Sequence, residues 1–288
     1  MKKLLQIIKH IKTGATGTPD ELNDMLWQLI CYSPKMPLRL QQEQLIAEAE
    51  KFSLTVDDKH FANKELAFNG FKWGKGARKV LITHGLGSKA ADFTEIITAL
   101  RAIDGLEIIA FDAPGNGCSE GELSNLLLFM DAVKAVILNY GEPAIVIGHS
   151  LGAMANAIVL NEMKIRPSLL ISIAPLIRLK ENFVASMSAA GVSGTAQESF
   201  LKNFEEKFNK PASYYNLNDR YAFDDQLNHW LAYDKNDRVS TYNYLKEFLD
   251  NHPSIKSQDY DDIGHERIIK SPVVIADLID QVSNIRSC

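Results

Sequence analysis

The sequence predicts an α/β protein built on a mostly parallel sheet with crossover helices. Three observations predict it. Short apolar runs recur along the middle of the chain, each ending at a turn that carries glycine, proline or a polar residue. Helical segments separate most of them, so the rhythm is strand, turn, helix, repeated. The runs KVLIT, EIIAF and AIVIG are apolar on both faces, as strands covered by helices on each side must be.

Each element follows in order. Leu4, Ile7, Ile8 and Ile11 repeat at helical spacing, and Lys2, Lys3, Lys9 and Lys12 occupy the other face. This is an amphipathic helix packed on the domain, or a membrane-surface helix. Lys9, His10 and Lys12 break the apolar run and no small-residue cleavage site follows, so a secretory signal is not expected. Residues 19–51 read as helical from near Asp20, with Pro34 and Pro37 interrupting the pattern. Together, residues 1 to about 50 form a helical extension. Strand-like pieces at 52–56 and 64–73 and a turn at 74–77 come next. Strands are then expected at 79–83, 107–111, 144–148, 168–173 and 229–233, and helices at 92–103, 125–140 and 154–163. Between Pro175 and His229 the rhythm fails. Phe200, Phe204 and Phe208 form an aromatic stripe there, with Phe183, Met187, Tyr214, Tyr215, Tyr221 and Phe223 around it. The stretch at about 176–226 is expected to be a helical cap insertion, with its own small core, a pocket-lining role, or both.

The 288 residues suit one large α/β domain or two small ones. A chain that is 46% hydrophobic and 23% charged has the profile of a soluble globular protein. Its net charge of −5 offers no field attractive to nucleic acid or an anionic membrane. No apolar stretch approaches the roughly 20 residues a membrane span requires. Cys31, Cys118 and Cys288 are odd in number and widely spaced, which disfavours a disulfide framework or a zinc site. Reduced thiols fit a cytoplasmic location.

The chemistry centres on AIVIGHSLGA at 144–153. Gly148-His149-Ser150-Leu151-Gly152 is a G-x-S-x-G motif between a buried-type strand and a helix. The five-residue pattern alone is weak. In a strand–turn–helix context it lifts the serine hydroxyl out of the sheet, against the positive end of the following helix. A serine hydroxyl needs a base to become a nucleophile. Of seven histidines, His265 lies after the last strand-like piece and before the C-terminal helix, where it can reach across the top of the sheet. His149 is adjacent to the serine but is expected to point elsewhere. The orienting acid should follow HWLAY, where Asp234 and Asp237 both qualify. The oxyanion formed on attack needs preorganised donors. The N–H of Leu151 is one candidate. The N–H of Leu86, in the loop His84-Gly85-Leu86-Gly87, is the other.

His84-Gly85-Leu86-Gly87, Asp112-Ala113-Pro114-Gly115-Asn116-Gly117, Gly148 to Gly152, Asp234 to Val239 and Gly264-His265 resemble, in this order, the α/β-hydrolase superfamily. The likeness covers nearly the whole chain. It implies a single α/β-hydrolase domain, an eight-stranded sheet with the cap after the sixth strand, and the chain order serine, acid, histidine. It also favours Asp237 over Asp234, because Asp237-Arg238-Val239 resembles the family's acid loop. Ala153 stands where glycine is common and Asn116 where histidine is common, and neither is expected to touch a catalytic role. The resemblance implies a serine hydrolase that cleaves a carboxylic ester or related acyl bond of a small molecule. No cofactor or metal is expected. Thioesterase, acyltransferase and peptidase use the same groups, and a hydrolase-fold receptor with little turnover is the alternative from another class.

Overall fold

The computed structural model describes residues 2–13 and 18–285. Cys288 lies outside the described residues, while Cys31 and Cys118 are free thiols. Three helices precede the sheet: α1 (Lys2–Lys12), α2 (Pro19–Cys31) and α3 (Leu40–Ala47). Thr18 and Glu21 close a capping box at the start of α2, with Pro19 in the first turn where its missing N–H costs nothing. The chain continues through β1 (Glu50–Asp58), β2 (Lys64–Trp73), β3 (Arg78–Thr83), α4 (Thr94–Arg101), β4 (Leu106–Phe111), α5 (Leu126–Tyr140), β5 (Ile145–His149), α6 (Leu151–Met163) and β6 (Leu169–Ile173). After β6 come α7 (Leu179–Ala189), α8 (Gly194–Phe208) and α9 (Leu217–Arg220), then β7 (His229–Tyr233), α10 (Tyr242–Asn251), β8 (Lys256–Asp259) and α11 (Pro272–Ser283).

The eight strands form one sheet in the order β1-β2-β4-β3-β5-β6-β7-β8. β2 runs antiparallel to both of its neighbours, and every other pair is parallel. Every residue of β5 and β6 is buried. Alternate side chains feed two cores, following the two-residue period of a strand. Leu81, Ile109, Val146 and Leu170 join α2, α5, α6 and the helices after β6 on one face, whereas Val80, Ile82, Ile147 and Ile171 join α3, α4 and α11 on the other. β8 (Lys-Ser-Gln-Asp) is almost wholly exposed and belongs to the sheet through its backbone pairing with β7.

The aromatic stripe of α8 faces inward. Phe200, Phe204 and Phe208 are buried, and their rings lie 4.6, 6.0 and 5.9 Å from that of Trp27 in α2. Trp27 Nε1–H donates to Asn203 Oδ1 at 2.9 Å, and Phe183 of α7 packs on Phe204. The stripe is therefore a core shared between α7, α8 and α2. Burying each ring stabilises the fold by about 1.5–3 kcal/mol. The apolar face of α1 packs in the same way, through the buried Ile7 and Ile11, and Lys3 pairs with Glu122. Among the described residues no helix is long and apolar enough to cross a membrane.

The order β4-β3-β5 places a reversal of strand order between the parallel strands β3 and β5. The loops leaving these two strands turn opposite ways and open a crevice at their carboxyl ends, which is where open α/β sheets hold their sites.

Candidate active site

Ser150 sits at this crevice, between β5 and α6, with φ 53° and ψ −121°. A non-glycine residue there is strained by about 1–3 kcal/mol, and the surrounding packing must impose it. The flanking glycines supply the room. A Cβ on Gly152 would lie 2.2 Å from the His84 carbonyl oxygen, and one on Gly148 would lie 2.5 Å from Ala153 Cα. The Ser150 N–H donates to Ile173 O and Leu176 N–H donates to Ser150 O, which stitches the turn to the end of β6.

His265 Nε2 lies 2.9 Å from Ser150 Oγ, and its Nδ1 lies 2.6 Å from Asp237 Oδ2. A carboxylate only accepts, so Nδ1 carries the proton and donates to Asp237. In the neutral ring Nε2 then accepts from the serine hydroxyl. Asp237 Oδ1 accepts the N–H groups of Val239 and Ser240 at 2.7 and 3.1 Å. Burial alone would push the Asp237 carboxyl up. The hydrogen bond and charge of His265 and these two N–H groups outweigh it, so its pKa lies below the ordinary value. Three residues from distant parts of the chain thus meet in one hydrogen-bonded line that can move a proton off the serine and hold the resulting imidazolium.

Asp234 has a different task. Its Oδ1 accepts Asn236 N–H at 2.8 Å and its Oδ2 accepts Gly264 N–H at 2.7 Å. It ties the loop that carries Asp237 to the loop that carries His265. Asp112 is also occupied structurally, accepting Ala90 N–H and Cys118 N–H.

The N–H of Leu86 and that of Leu151 make no hydrogen bond within the described residues. Leu151 opens α6, where the first N–H groups have no acceptor in the helix. A Cβ on Gly85 would come within 3.0 Å of Ser150 Cβ, so the loop carrying Leu86 runs directly beside the serine. Positively polarised N–H groups in such a place suit a developing oxyanion.

Two histidines near the site carry duties that the sequence did not reveal. His149 does not face the Ser150 hydroxyl: its Nε2 lies 2.9 Å from the backbone oxygen of His265, and the two rings are 4.8 Å apart. A carbonyl accepts, so Nε2 carries the proton and donates. Burial first, then the charge of His265, pushes the His149 pKa down to about 3, which keeps the ring neutral. His84 is likewise buried, and burial lowers its pKa. Its Nε2 accepts Ala113 N–H at 2.9 Å, so Nδ1–H donates to Gly85 O at 2.6 Å. The signal for His84 lay in its place at the end of β3. His149 offered none, because its partner is 116 residues away.

A cleft of about 80 Å³ lies between α7 and the segment after Asp237, lined in part by Leu176, Asn182, Val239 and Tyr244. A larger groove of about 340 Å³ lies between β1 and α5, and neither it nor the smaller cleft is lined by any of the five site residues predicted from sequence. Among the described residues no group of three or more His, Cys, Asp or Glu side chains is arranged to hold a metal ion.

Residues 74–231 match the family model described as serine aminopeptidase, S33. A comparison with curated proteins finds no match. Among solved structures, an esterase from Pyrococcus furiosus is 20% identical, with a TM-score of 0.60, covering 89% of this chain and 97% of that one. An esterase from Thermogutta terrifontis is 15% identical, with a TM-score of 0.58, covering 82% of this chain and all of that one. A thioesterase domain from the curacin biosynthetic pathway is 17% identical, with a TM-score of 0.56, covering 80% and 98%. At these identities the likeness is one of fold. The family match spans more than half of the chain, and the sheet order, the strained serine turn and the neighbours agree with it: this chain belongs to the serine aminopeptidase S33 family of the α/β-hydrolase superfamily.

Proposed function

We propose that this chain is a serine hydrolase that cleaves a carboxylic ester or related acyl bond of a small molecule through an acyl-enzyme. The observation that carries the reading is the unbroken line from Ser150 Oγ to His265 (2.9 Å) to Asp237 (2.6 Å). Ser150 Oγ attacks the acyl carbon as His265 Nε2 takes its proton. Asp237, held ionised, keeps the imidazole in the right tautomer and stabilises the imidazolium. The N–H groups of Leu86 and Leu151 receive the oxyanion. The imidazolium then gives its proton to the leaving group, and the acyl group stays on Ser150. His265 next deprotonates a water that attacks the acyl-enzyme, and the proton passes to Ser150 Oγ as the acid departs. Helices α7 to α9 act as the cap, with the cleft between α7 and Val239 as the place for part of the substrate.

A fluorophosphonate probe tests this directly, because it reacts only with an activated serine. Labelling of the native chain that disappears in Ser150→Ala is expected. Equal labelling of the two would overturn the mechanism. A panel of p-nitrophenyl esters of graded length, acyl thioesters and aminoacyl anilides then separates esterase from thioesterase and peptidase. The ester reading expects the esters to be turned over fastest, and a clear preference for another class would replace it.

A further inference from the structure

Asn116 is fully buried in the loop after β4, outside the line of reacting groups, and the reading above gives it no part. Its side chain is nonetheless pinned at both ends. Oδ1 accepts the N–H of Gly87 at 3.1 Å, and Nδ2 donates to Ser124 Oγ at 2.9 Å and to Pro114 O at 3.2 Å. The amide orientation follows from these partners, since one end faces an N–H and the other faces oxygens.

Gly87 directly follows Leu86. On the other side of Leu86, the Gly85 carbonyl accepts from His84 Nδ1–H at 2.6 Å and from Ser88 N–H at 3.2 Å. The Gly85–Leu86 peptide is trans and planar, so its N–H points opposite to its C=O. With the carbonyl drawn toward His84, the Leu86 N–H is aimed away from it and left without an acceptor. The next N–H, that of Gly87, is taken by Asn116. Leu86 is thus held between two anchored peptides, and both of its neighbours are glycines, which resist backbone rotation least of all residues. An unanchored loop of this composition would let the donor drift, and a displacement of about 1 Å from productive geometry can cost roughly 100-fold in rate.

We propose that Asn116 is a positioning residue for the reaction: by holding Gly87 N–H, together with His84 on Gly85 C=O, it keeps the Leu86 N–H aimed at the oxyanion. The inference rests on the serine hydrolase reading. It gives a task to the residue that stands where the superfamily commonly has histidine.

The test compares Asn116→Leu, which fills the space without hydrogen bonds, with Asn116→Asp, which retains an acceptor for Gly87 N–H. Each is assayed for ester turnover and for binding of an alkyl boronic acid, whose tetrahedral adduct places an oxygen in the oxyanion site. Asn116→Leu should lower kcat about 10- to 100-fold, part of the roughly 100- to 1,000-fold loss expected when one donor is removed outright. KM should stay within about threefold, and the boronate dissociation constant should rise in parallel with the fall in kcat/KM. Asn116→Asp should recover most of both. A merely structural role would lower the amount of folded enzyme without this parallel. If Asn116→Leu does not fold, Asn116→Ala, whose vacancy a water can fill, takes its place with the same expectation. A folded variant with near-native kcat and boronate affinity overturns the inference, as does an equal loss of both in Asn116→Asp. Native enzyme that neither takes fluorophosphonate nor binds boronate overturns the hydrolase reading, and this inference with it.

Discussion

Among the described residues two serine–histidine pairs have the same separation, and they have opposite characters. Ser150 Oγ and Ser172 Oγ each lie 2.9 Å from a histidine Nε2, of His265 and His229 respectively. Behind His265 stands a carboxylate, Asp237. Behind His229 stands a phenol, Tyr221, whose OH lies 2.9 Å from Nδ1 and which burial keeps protonated. Burial, and then His252, pushes the His229 pKa down to about 3, so at neutral pH this ring cannot take a proton from a serine. Ser172 lies inside β6 and its backbone is paired on both sides, to Gly148 and Leu231. Its neighbours along the strand are Ile171 and Ile173, so it does not stand at a strand end. The Ser172 pair is a satisfied polar spot in the core. The comparison teaches that a short serine–histidine contact is not a site: chemistry also requires a counter-charge for the imidazolium, donors for the oxyanion and a strand end rather than a strand middle.

The sharpest way to break this contrast is to remove each hydroxyl. Ser150→Ala should lower kcat by several orders of magnitude, about 10⁶-fold in the subtilisin precedent, while the melting temperature stays close to native, because the elbow serine fills no core space. Ser172→Ala should do the reverse. Activity per folded molecule should stay within about threefold. Leaving His229 Nε2 buried without a partner should cost about 1–3 kcal/mol. Turnover assays and thermal melts on both variants check this, and Ser172→Ala being the inactive one would invert the assignment.

The two aspartates after β7 provide the next largest contrast. Asp237→Asn presents the wrong tautomer to His265 and should lower kcat by about 10⁴, the loss known for a serine protease. Asp234→Asn loses one of two bonds, the one to Asn236 within its own loop or the one to Gly264 that ties the two site loops together. It should lower kcat by roughly tenfold at most, with a measurable fall in melting temperature. A severe defect in Asp234→Asn beside near-native Asp237→Asn would reverse their roles. Kinetics of both single variants and of the double variant decide the matter.

The two buried histidines, His149 and His229, should also make stability depend on pH. His149 and His229 have folded-state pKa values of about 3, against an ordinary value of about 6.5. Between those limits the unfolded chain binds protons that the folded one refuses. Stability is therefore complete above about pH 6.5 and is lost as pH falls toward 3, by up to about 1.4 kcal/mol per pH unit for each ring. Melting temperatures measured from pH 7 to 4.5 should decline, and less steeply in His229→Gln. An unchanged slope in that variant would show that His229 does not carry its share.

Much of this was legible in the sequence, because the information was local. Apolar runs flanked by turn residues gave β3 to β7 to within a residue or so, since burial on both faces demands unbroken apolarity. Glycines on either side of Ser150 marked the turn, because a Cβ at Gly148 would strike Ala153 Cα and one at Gly152 the His84 carbonyl. β8 had no such signature. Its four residues are polar and exposed, and only pairing with β7 makes them a strand.

What the sequence determined by itself was the alternation of strands and helices and the few residue types able to do acyl chemistry. What only the tertiary structure decided was partnership. Asp234 and Asp237 are chemically alike and three residues apart, and the path of one loop gives Gly264 to the first and His265 to the second. His149 reaches the His265 carbonyl, Asn116 holds Gly87, and the aromatic stripe of α8 closes on Trp27. Each of these contacts joins positions far apart in the chain. Hydrogen bonds and ring contacts act over a few ångströms, so the identity of a partner is written only in how the chain folds back on itself.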